Sequence, residues 1–105
     1  MTDEEMKAKL EELSADHDEV EVHVIGGDVF FLRPPSLASV ERWRAHMVDD
    51  AKRSKAGARL VQDSIVWPPP VELAAIFKRK PMRIEALLRP VCELAGMVDA
   101  EKKAL

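Results

Sequence analysis

From Val20 to Val24 apolar residues recur at every second position, and the run is closed by Gly26-Gly27-Asp28. A period of two describes a β-strand, whose successive side chains point to opposite faces. Val20, Val22 and Val24 alternate with Glu21 and His23, so the three valines share one face. Gly26-Gly27 tolerates the positive φ of a tight hairpin turn. Val29-Phe30-Phe31-Leu32 reads as the returning strand, apolar on both faces, and Pro34-Pro35 ends it because proline cannot donate to the ladder. Two strands alone are marginal. The hairpin must therefore pack against helices or gain strands from another subunit.

Elsewhere the apolar residues recur at helical spacing. Thr2 and Glu5 form a capping-box pattern ahead of Met6, Leu10 and Leu13, which predicts a short amphipathic helix over about residues 3–13, with Glu5 and Lys9 as an i,i+4 pair. Ser36 is a good N-cap for a helix whose stripe is Leu37, Val40, Trp43, Met47 and Ala51. Ala56, Leu60, Val61, Ser64 and Ile65 give a second stripe, ended by Trp67-Pro68-Pro69-Pro70. Pro70 suits the first turn of a third short helix, which Pro81 stops. Ile84, Leu87, Leu88, Val91, Leu94 and Ala95 form the clearest stripe, with a kink expected at Pro90 and Gly96 at the C′ position. The predicted class is α+β and mainly helical: an N-terminal β-hairpin packed with about four to five helices.

A chain of 105 residues fits one small domain. The predicted organisation is an acidic helix and linker over 1–19, a single α+β domain over 20–97 and a charged tail over 98–105. Charge supports the first boundary: residues 1–19 carry −6 and the remainder +3. An acidic segment that folds over a basic body, or is released from it, fits this asymmetry. The N-terminus lacks the basic-then-apolar order of a signal peptide, and no apolar run approaches the roughly 20 residues of a membrane span. Cys92 is alone, which suits a reducing cytosol.

Catalytic patterns are missing. His17, His23 and His46 form no i,i+4 pair, and Asp16-His17-Asp18 reads as solvated linker rather than a metal site. No nucleophile elbow, phosphate loop or dinucleotide fingerprint is present, so no enzyme, cofactor or metal is expected. Lys52, Arg53, Lys55 and Arg59 form one basic cluster and Lys78, Arg79, Lys80 and Arg83 another. A small nucleic-acid-binding regulator using residues 52–59 and 78–83 is the alternative reading, although no recognition helix or stacking aromatics accompany them. The aromatics say more. Phe30 and Phe31 are adjacent on a strand, so one can join the core while the other must be covered. Trp67 precedes three prolines, in a connection rather than on a stripe.

The order of these features resembles a family. Val22-His23-Val24 and Gly26-Gly27 lead into Phe31-Leu32-Arg33-Pro34, then a Trp43-bearing helix, then Leu60 to Val66 with Pro68 to Pro70. A basic residue before Pro81 and a last helix ending Glu93-Leu94-Ala95-Gly96 complete the pattern. Over about residues 20–97 the chain is similar to the tail assembly chaperones of long-tailed bacteriophages and prophages, whose members often show two arginines where this chain has Leu32-Arg33. The resemblance implies a non-catalytic protein of the bacterial host cytoplasm that binds the tape measure protein, keeps it soluble while the tail tube polymerises, and is absent from the mature virion. It also implies self-association, with the tail tube protein as a further partner. Partner binding is expected at Phe30, Phe31, Arg33, Trp43 and Trp67.

The hairpin edges carry no lysine within either strand, and such edges invite pairing with another chain. A homo-oligomer built partly through the hairpin is expected, with Phe31→Asp shifting the protein toward monomer.

Overall fold

The computed structural model describes residues 1–105 as five helices and a three-stranded antiparallel sheet. The elements in chain order are α1 (Asp3–Ser14), β1 (Glu21–Ile25), β2 (Asp28–Leu32), α2 (Leu37–Met47), α3 (Arg53–Ser64), β3 (Ile65–Trp67), α4 (Pro70–Arg79) and α5 (Arg83–Leu94). The mainly helical α+β class and the early hairpin are as the sequence predicts.

Gly26 and Gly27 make the hairpin turn with φ of +56° and +87°. Gly26 is constrained twice. A Cβ there would lie 2.2 Å from Arg83 Nη2, because the Arg83 guanidinium crosses the turn to reach Asp28 Oδ2, with Nε donating at 3.2 Å. This part-buried ion pair fastens the hairpin tip to α5. Gly26→Ala should cost about 1–2 kcal/mol in backbone strain alone, and more once Arg83 is pushed aside. Gly27 has open space around its would-be Cβ, so Gly27→Ala should cost less. Urea denaturation of the two variants checks that order.

The sheet order is β1-β2-β3. β3 departs from the sequence reading, which put Ile65 on a helical stripe and Trp67 in a connection. Helix α3 stops at Ser64, and Ile65-Val66-Trp67 runs extended along β2, with Phe31 opposite Trp67 and Leu32 opposite Ile65. Two β-branched residues and an aromatic favour the extended state, but three residues are too few to show a period. The ladder continues where Arg33 N donates to the Ser64 carbonyl at 2.8 Å. β2 is therefore the central strand, with both of its edges paired inside the chain. The expectation of an under-supported two-stranded hairpin is corrected accordingly.

The inner face of the sheet carries Phe30 and Leu32, and behind them α3 and α5 supply Leu60, Val61, Leu87 and Val91. All six are buried, and Trp43, Ile76 and Phe77 pack around them. Phe30 and Phe77 stack with ring centroids 6.2 Å apart. Asp63 ties α2 to α3 by accepting from Arg42 and from Arg59. Terminal signals behave as expected: Ser36 Oγ accepts from Ser39 N, Pro70 opens α4, and Gly96 at φ +98° closes α5 in a Schellman arrangement. Helix α5 runs through Pro90 to Leu94, whereas α2 ends at Met47, short of the expected Ala51.

Candidate interaction face

The second face of the sheet is the one that holds the valines. Val22 stands opposite Phe31, Val24 opposite Val29, and Phe31 in turn opposite Trp67. Residues directly opposite in a ladder point to the same side. These side chains therefore form one apolar surface, turned away from the core that holds Phe30 and Leu32. Phe31 and Trp67 meet edge-to-face, with centroids 5.7 Å apart and planes at 85°, a preferred geometry for aromatic pairs.

Phe31 is fully buried on this outer surface, the side on which α1 packs against β1 and sets Lys9 over the Trp67 ring. Met6, Lys9, Leu10 and Leu13 are the half-buried residues of α1, a set at i, i+3, i+4 and i+7 that defines one helical face. Lys9 Nζ sits 5.6 Å from the Trp67 ring centroid and 3.2 Å from Glu12 Oε2. A partly exposed cation over an indole contributes about 0.5–1 kcal/mol. Lys9 pairs with Glu12 rather than the expected Glu5, because Glu5 closes the capping box. Its Oε1 accepts from Thr2 N at 3.0 Å while Thr2 Oγ1 accepts from Glu5 N at 3.2 Å. The Thr2 backbone N–H foremost, and the Thr2 hydroxyl after it, hold the Glu5 carboxyl below its ordinary value of 4.5.

The cover is thin. No residue of α1 is fully buried, and Val22 and Val24 remain 36% and 55% exposed beside it. The helix is joined to β1 by the six residues 15–20, whose Asp16, Asp18 and Glu19 line a polar groove with Arg33. The apolar face of α1 was visible in the sequence, but its landing place was not.

Of the residues singled out from sequence, only Phe31 and Trp67 come together here. Phe30 joins the core cluster while Phe31 is buried on the opposite face, as adjacent strand residues must divide. Trp43 lies on the helical side, where with Val40, Leu60, Cys92 and Met97 it lines a groove of about 240 Å³. Arg33 is exposed and reaches back to the Asp63 carbonyl at 3.4 Å. Burial pushes the Cys92 thiol up from its ordinary value, which favours the unreactive protonated form.

The basic clusters are partly committed. Arg53 donates to Asp50 and to the Met47 carbonyl, Arg59 to Asp63, and Arg83 to Asp28. Lys52, Lys55 and Arg59 share a groove with His46, and Lys78 and Arg79 end α4. No group of three or more His, Cys, Asp or Glu side chains is placed to hold a metal ion. No helix is long and apolar enough to cross a membrane.

No protein family and no curated protein matches this sequence. Among solved structures, the chain is similar to the uncharacterised protein rbstp2171 from Bacillus stearothermophilus. The TM-score is 0.74 at 20% identity, over 90% of this chain and 99% of that one. At that identity the likeness establishes a shared fold.

Proposed function

We propose that the protein is a non-catalytic tail assembly chaperone of a long-tailed phage or prophage. In this reading it binds the tape measure protein in the bacterial cytoplasm, keeps that long helical client soluble while tube subunits assemble, and stays out of the finished particle. Self-association and contact with the tail tube protein belong to the same reading.

One observation supports it most. The chain holds an apolar sheet face, built from Val22, Val24, Phe31 and Trp67, beneath a helix that buries none of its own residues fully. A chaperone for exposed helical stripes needs a surface that accepts an amphipathic helix without demanding one sequence, and apolar burial supplies that because it is non-directional. The nucleic-acid alternative draws on Lys52, Lys55 and Arg59 lining one groove, but Arg59 and Arg83 are already ion-paired within the chain.

Co-expression with the tape measure protein of the same genome tests the proposal. The expected result is a soluble complex that co-elutes in size-exclusion chromatography. A client that stays insoluble beside soluble, folded protein contradicts it. Retention on DNA that falls steeply between 50 and 200 mM salt, as counterion release requires of phosphate binding, would favour the alternative.

A further inference from the structure

We infer that the outer sheet face is a seat for an amphipathic helix from another chain, and that α1 is its built-in, displaceable occupant. The inference deepens the chaperone reading by naming the surface and the competitor, and rests on that reading for the identity of the natural client.

The occupant already in place shows what the seat accepts. It is an amphipathic helix presenting Met6, Leu10 and Leu13 along one face, with a cation at Lys9 over the Trp67 ring. A partner helix with apolar residues at i, i+4 and i+7 would repeat the first feature, and a lysine or arginine beside that stripe would repeat the second. Displacement is physically accessible for three reasons. The helix carries its own capping box, so its N-terminal turn does not depend on the sheet for partners. No α1 residue belongs to the buried core. The six-residue connection allows it to leave without disturbing β1. Once it leaves, Phe31 and Trp67 lose their cover, and a wet apolar face of this kind attracts a replacement.

The tether also sets the strength of the competition. A short flexible linker holds its helix at an effective concentration near the millimolar range. A helix arriving from another molecule therefore binds the intact protein more weakly than it binds a seat whose own helix has been disabled.

The test uses the full chain and a fluorescent peptide of residues 1–19 as the probe. In the strap-released variant Leu10→Glu/Leu13→Glu the altered helix keeps good helix formers but places charges against the apolar face. The peptide should bind this variant at least about tenfold more tightly than wild type by fluorescence anisotropy. Adding Val22→Lys to the released variant should abolish that binding, with circular dichroism confirming that the remaining helices persist. Equal peptide binding by wild type and released variant, or none by either, overturns the inference. A concentration-dependent dimer of wild type that exchanges α1 between copies, seen by light scattering and cross-linking, would assign the seat to a second copy and overturn its assignment to a partner chain. The tape measure protein separates the two levels. If it binds wild type, released variant and Val22→Lys alike, the chaperone reading stands and the seat falls. If it binds none while the peptide follows the predicted order, the seat stands and the choice of client falls.

Discussion

Replacing Phe31 with aspartate should cost the protein much of its stability rather than simply dissociate it. The side chain is fully buried, pressed edge-to-face against Trp67, on the central strand that pairs on both sides. Removing an aromatic of this size from a packed site costs about 3–5 kcal/mol. A carboxylate in its place also carries a desolvation cost for as long as α1 stays seated, and so favours release of that helix. A domain of this size has roughly 5–15 kcal/mol to lose. The variant should therefore show a urea midpoint far below that of wild type at 25 °C, with the aromatic circular-dichroism signal reduced. This reverses the sequence-based expectation of a folded monomer. A variant that keeps the wild-type transition while changing only its elution volume would place Phe31 at a subunit interface.

Phe30→Ala should be nearly as damaging for a different reason. Phe30 faces the helices, within the cluster that joins β2 to α3 and α5, and stacks on Phe77. The expected loss is about 3–5 kcal/mol, measured as a fall in urea midpoint at unchanged slope. Phe77 is only half-buried, so Phe77→Ala should cost less. The double variant should reveal a coupling of about 0.5–1.5 kcal/mol between the rings. A coupling of zero would mean that α4 does not pack on the sheet in solution. The outer-face prediction reports on the α1 side of the sheet, and this one on the opposite side.

The signals legible in the sequence were those in which a local chemical choice fixes a local conformation. Thr2 with Glu5, Ser36, Pro70 and Gly96 mark helix ends because each satisfies or terminates backbone groups within its own turn. Gly26-Gly27 marks the hairpin for the same reason. What stayed hidden depends on distant partners. Ile65 to Trp67 become a strand because β2 offers an edge for them, and a three-residue strand carries no period of its own. The valine alternation shows a shared face but not which one, and Val22 and Val24 prove to lie on the α1 side while His23 and Ile25 point inward. The stripe of α1 likewise announces a face to be buried without naming its target.

Lys9 gives the most direct view of whether that target is α1's seat and whether a client takes it. Its side chain lies over the Trp67 ring, so its methylene protons should be shifted upfield by the ring current in the NMR spectrum of the free, full-length protein. Titration with the tape measure protein, or with the helical segment of it that binds, should return those resonances to their random-coil positions as α1 is displaced. A saturated complex in which the Lys9 resonances keep their upfield positions would contradict the account.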